Sequence, residues 1–83
     1  MQNSKEIIFN FIKENFILGR SEIDLMPDQS LLDSGIIDST GILELVMFIE
    51  EKFSINIDDE ELIPENLDSI NNIVNFLKTK GIN

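Results

Sequence analysis

The run Leu31-Leu32-Asp33-Ser34-Gly35-Ile36-Ile37-Asp38-Ser39-Thr40-Gly41-Ile42-Leu43-Glu44-Leu45-Val46 changes character at Asp38. Upstream, residues 19–37 hold no helical period and are punctuated by Pro27 and Gly35, which reads as a long connection. Downstream, a helix is expected from Asp38-Ser39 to about Phe53. Asp38 suits its N-cap, because a carboxylate accepts first-turn N–H groups and sits well at the positive end of a helix dipole. Ile37 and Ile42 flank that cap at staple positions. Within the helix, Leu45, Val46, Ile49 and Phe53 recur on one side and are assigned to the core. The opposite side carries Thr40, Leu43, Glu44, Met47, Glu50 and Glu51, apolar mixed with acidic. A connection this long needs tethers in a small domain, and Ile23, Leu25, Leu31, Leu32 and Ile36 are the candidates.

Working outward, Ile8, Phe11, Ile12 and Phe16 predict a first helix near residues 4–17. Asn3 and Glu6 have capping spacing at its start, and Gly19 can end it. Asp58 and Glu61 mark a short helix whose length Pro64 limits. A last helix begins near Asp68-Ser69, with Ile70, Ile73, Val74 and Leu77 at i, i+3, i+4 and i+7. Ser54-Ile55-Asn56-Ile57 alternates like a strand but has no clear partner. The expected fold is all-α: a small four-helix bundle of three main helices and one short one, as a single domain over residues 1–83.

The chain has 83 residues, 16 Asp+Glu against 6 Lys+Arg, and a formal charge of −10. Leu, Ile, Val and Phe supply 32 residues, too many for a disordered acidic segment. From Glu22 to Asp68 there are 14 acids and one base, Lys52, so the charge is concentrated around the second helix. Such asymmetry is a recognition feature more often than a folding one. It argues against a nucleic-acid partner, which requires clustered Lys and Arg. With no Cys and no His, thiolate sites, disulfides and the commonest general base are absent. No apolar run is long enough to span a bilayer, and the first residues do not read as a signal peptide. A cytoplasmic monomer without catalytic residues of its own is expected. Asp58-Asp59-Glu60-Glu61 lacks the alternating ligands and central Gly of a calcium loop, so no dedicated metal site is expected.

Ser39 is the residue with chemical interest. Asp-Ser alone ordinarily does no more than cap a helix. Here it is followed by Glu44-Leu45-Val46-Met47 and Ile49-Glu50-Glu51-Lys52-Phe53, then Ile57-Asp58-Asp59-Glu60-Glu61 and Ile70-x-x-Ile73-x-x-Phe76-Leu77. With the first-helix spacing, this pattern resembles the acyl carrier protein family along nearly the whole chain. Members of that family bear 4′-phosphopantetheine on the Ser of an Asp-Ser-Leu motif.

The resemblance implies that Ser39 is the attachment point, an acceptor rather than a catalyst. A phosphopantetheinyl transferase, using coenzyme A and a divalent ion, would install the arm. The arm's thiol would hold acyl or aminoacyl cargo as a thioester, which explains how a Cys-free chain takes part in thioester chemistry. It also implies a docking face of Asp38, Leu43, Glu44, Met47, Glu50 and Glu51 for basic patches on partner enzymes. Thr40 stands where the family usually has Leu, and Gly41 where fatty-acid carriers often have Asp. That departure points towards a dedicated biosynthetic pathway rather than bulk fatty-acid synthesis, with loading by an acyl- or aminoacyl-adenylating ligase and use by downstream acyltransferase or synthase enzymes. The alternatives are an unmodified acidic helical adaptor for a basic partner and, less favoured for want of a base, a hydrolase using Ser39.

Overall fold

Asn3 sets the first helix in place: its side-chain oxygen accepts the Glu6 N–H at 2.9 Å, satisfying a first-turn donor. The structure, a computed structural model, describes residues 3–17 and 24–82. The sequence expectations at Gly19 and Ile23 lie outside the described residues. Helix α1 spans Ser4–Ile12 and passes into a wider π turn over Lys13–Ile17. Its length matches the sequence expectation, but its last turn is not α-helical. The Phe11 carbonyl receives the Asn15 side-chain amide at 2.9 Å at that transition.

Helix α2 spans Ser39–Phe53, with Asp38 as its N-cap, as the sequence predicts. It ends at Ser54 in the left-handed region (φ 56°), whose N–H returns to the Glu50 carbonyl. Residues 54–57 are extended, and no strand forms among the described residues. A 3-10 turn, Asp59–Glu61, follows. There the Glu61 carboxylate accepts the Asp58 N–H at 3.0 Å, the capping spacing read from sequence.

That turn closes at Leu62, and Pro64 starts the next element, helix α3 (Pro64–Leu67), where it occupies the first helical position. Its missing N–H costs nothing there, since first-turn donors have no intrahelical partner. Helix α4 spans Ile70–Thr79 and is capped by the Ser69 hydroxyl, which accepts the Asn72 N–H at 3.0 Å. The chain is thus all helical, four α-helices with no strand among the described residues.

α1 packs against α4, and α3 against the start of α4. The core gathers Ile8 and Ile12 from α1, Leu45, Val46 and Ile49 from α2, and Ile70, Ile73, Phe76 and Leu77 from α4. Burying one such Ile or Leu contributes about 1.5–3 kcal/mol relative to leaving it in water. Phe11 and Phe48 stack at 3.9 Å between ring centroids, joining α1 to α2. Phe53 and Val74, expected in the core, are half-buried at its edge.

The connection before α2 is tethered, though not by every residue expected. Leu31, Ile36 and Ile37 are buried and Leu25 is half-buried. Leu32 is 39% exposed and therefore no anchor. The reason is local geometry: the chain turns over 31–37, with Gly35 at φ 77° and the Ile37 N–H returning to the Leu31 carbonyl at 3.1 Å. That turn sends Leu31 inward and leaves Leu32 on the rim.

Candidate functional site

Ser39 is the first residue of α2 and is exposed. Among the described residues no hydrogen bond engages its hydroxyl. Asp38, in extended conformation, gives one carboxylate oxygen to the Gly41 N–H at 2.7 Å and its carbonyl to the Ile42 N–H at 3.0 Å. The cap fixes the first turn, and with it the direction in which Ser39 leaves the helix. Asp38 thus has a structural task whatever it does towards a partner.

A cleft of about 180 Å³ opens beside Ser39. Leu32 forms one wall, Ser39 and Ile42 the α2 side, and Leu62, Ile63, Pro64, Leu67 and Asp68 the far side. Its lining is almost wholly apolar. Sequence reasoning missed this cleft, because its walls come from three separate segments. The exposed pair Leu32 and Ile63 was the available signal, since apolar side chains left on a surface need a reason.

Asp68, between α3 and α4, ties the connection down. Its carboxylate accepts the Ser30 hydroxyl at 2.5 Å and the Leu32 N–H at 2.9 Å. Its carbonyl accepts the Leu31 N–H at 2.7 Å. Ser30 Oγ in turn accepts the Asp33 N–H at 3.0 Å. A further tie runs from the Asn71 N–H to the Pro27 carbonyl at 2.9 Å.

The expected docking residues follow α2 away from Ser39. Leu43 is 55% exposed and Met47 67%, one helical turn apart, so neither is core. Glu44 and Glu51 are exposed on the same side of the helix. Glu50 differs: it is half-buried, and its carboxylate accepts the Ile57 N–H at 2.8 Å. That acid is used within the fold, holding the extended 54–57 segment onto α2.

Beyond the face, the Glu61 carboxylate is held below the usual range of 4.5, first by the Asp58 N–H and then by the Lys80 ammonium 2.9 Å away. The acidic 58–61 stretch therefore has its last carboxylate already paired.

Together these residues place an exposed hydroxyl at a capped helix start, with an apolar recess at its side. Comparison with known proteins bears on this geometry. The family model described as "Phosphopantetheine attachment site" matches residues 17–77. The chain is similar to a D-alanyl carrier protein of Streptococcus suis, 37% identical over 70 residues, covering 84% of this chain and 85% of that one. It is similar to an acyl carrier protein of Exiguobacterium sibiricum, 35% identical over 63 residues, 76% of this chain and 77% of the other. An acyl carrier protein of Buchnera aphidicola is 37% identical over 78 residues, covering 94% and 95%. No solved structure matches the chain significantly. No helix among the described residues is long and apolar enough to cross a membrane.

Proposed function

This chain belongs to the acyl carrier protein family, whose matched model covers a phosphopantetheine attachment site, and from that premise we propose that Ser39 is the attachment residue. The observation that carries the reading is the position of Ser39: exposed, first in a capped helix, beside an apolar cleft and inside the matched span. The bound group supplies a thiol, and with it the capacity to hold cargo as a thioester. The chain's own residues bind and present: Asp38 orients the first turn, and the cleft gives the arm a resting surface. Tethering raises the effective concentration of cargo at each partner without stronger contact.

The cargo is acyl or aminoacyl, shuttled between enzymes of a dedicated pathway. The similarity to a D-alanyl carrier protein supports the aminoacyl form, and an acyl- or aminoacyl-adenylating ligase is the loading partner in this reading. Asp38, Leu43, Glu44, Met47 and Glu51 form the docking face, with Glu50 supporting its far end. Acidic residues there favour fast, salt-sensitive encounters with basic enzyme surfaces. The carrier is a cytoplasmic monomer whose reactions are catalysed by its partners.

The test is incubation with coenzyme A, Mg²⁺ and a broad-range phosphopantetheinyl transferase, followed by intact mass. The expected result is a single gain of one phosphopantetheine in the native chain and none in Ser39→Ala. Equal masses for both before and after an active transferase reaction would favour the adaptor.

A further inference from the structure

Attachment at Ser39 needs more than the serine. A transferase must meet the connection and the first turn of α2 together, so the backbone entering that turn has to be held in one arrangement. The 24–38 segment has no regular structure of its own beyond turns. At residues 30–32 it is held by one residue, Asp68, thirty-eight positions beyond Ser30, through both its carboxylate and its carbonyl.

We propose that Asp68 is a positioning residue for modification of Ser39. It takes the Ser30 hydroxyl and the Leu32 N–H on its two carboxylate oxygens, and the Leu31 N–H on its carbonyl. Three consecutive residues are thereby locked to the start of α4. The lock is passed towards the serine by the Leu31 carbonyl, which accepts the Ile37 N–H one residue before the cap. Ile36 and Ile37, buried beneath, prevent the far end of the turn from lifting. Leu32, held by the same carboxylate, also forms a wall of the cleft beside Ser39. Asp68 makes no hydrogen bond to Ser39 and, although it also lines the cleft, acts on the serine by fixing what presents it.

This inference rests on Ser39 being the attachment site, and the kinetics separate the two. If only a fraction of free carrier presents the loop correctly, the apparent KM rises by the reciprocal of that fraction while kcat is unchanged. The experiment measures initial rates of modification against carrier concentration, with saturating coenzyme A and Mg²⁺, for the native chain and four variants. Asp68→Ala is expected to raise KM about tenfold at constant kcat, the result of a competent fraction near one tenth. Ser30→Ala, which keeps the Leu31 and Leu32 ties, should show a smaller rise in the same direction. Asp68→Asn, which keeps an oxygen for the Leu32 N–H, should recover most of the native KM. Ile73→Val is the control: it thins the buried α4 core without removing any hydrogen bond to Asp68, and should lower the melting temperature without moving KM.

An unmodified native chain would sink the attachment site itself. Native modification with an unchanged KM in Asp68→Ala would sink only the role of Asp68, as would an equal rise in Ile73→Val. Should Asp68→Ala fail to fold, Ser30→Ala decides: a raised KM supports the role and a native KM overturns it.

Discussion

A Cβ placed on Gly41 would stand 2.9 Å from the Phe16 ring and 2.9 Å from Ile37 Cγ2. The first turn of α2 is thus packed directly under the π turn that ends α1, in a space only glycine fits. In an open helix, Gly→Ala would stabilise by roughly 0.5–1 kcal/mol. Here overpacking, typically about 1–3 kcal/mol, outweighs that gain. Gly41→Ala is expected to lose about 1 kcal/mol in urea unfolding, and Gly41→Asp more, since its carboxylate would crowd that of Asp38. A gain in stability for Gly41→Ala would show the Phe16 contact to be slack.

Removing the cap should weaken α2 at the end where it matters. Asp38→Ala is expected to cost about 0.5–2 kcal/mol, and Asp38→Asn, which still accepts from the Gly41 N–H, only part of that. Chemical denaturation measures both. Indistinguishable costs would mean that charge, not the 2.7 Å hydrogen bond, sets the cap's worth.

The acids of α2 should divide into two kinds. Glu44→Lys and Glu51→Lys are expected to slow modification of Ser39 at low ionic strength, with the difference from native fading as salt rises, while the melting temperature holds. Glu50→Ala should do the converse. Losing the bond to the Ile57 N–H is expected to cost about 1–2 kcal/mol of stability. Glu50→Gln, which keeps an acceptor, should cost less than half of that. Melting curves beside modification rates over a salt series separate the two behaviours.

Glu61 gives a pH signature. Its folded-state pKa is depressed by the Asp58 N–H and by Lys80, so folding favours the ionised form. The resulting stabilisation is present above the ordinary value of 4.5 and is lost as pH falls through the lowered folded value. The melting temperature of the native chain should therefore exceed that of Glu61→Gln at neutral pH. The gap should close on acidification below the ordinary carboxylate range. A gap that is constant with pH would remove the ionic contribution.

The parts of this molecule legible in its sequence are the parts written in local spacing. Asp38 and Ser39 announce α2, Leu45, Val46 and Ile49 recur on its buried side, and Ile70, Ile73 and Leu77 mark that of α4. Leu43 and Met47 stand out as surplus to that stripe and are exposed. What escaped notice joins distant positions or depends on shape. Ser30 and Asp68 each look like ordinary turn or cap residues until the fold brings them together. Glu50 reads as an outward acid because no helical period reveals that the chain after Ser54 doubles back to it. Pro64 reads as a stop, although at a first helical position a proline equally starts a helix. Leu32 lies in a segment without periodicity, where nothing in the spacing separates inward from outward.

The hydrogen bond from the Leu32 amide to Asp68 has one more consequence. That amide belongs to a residue on the wall of the cleft beside Ser39, and its N–H is held by the Asp68 carboxylate. It is a spectroscopic probe already built into the chain. An occupant that presses on the Leu32 side chain must strain or shorten this bond, and the amide proton resonance will register it. Comparing its chemical shift and exchange rate across loaded forms would distinguish a cargo that rests in the recess from one that hangs in solvent, without any label on the cargo itself.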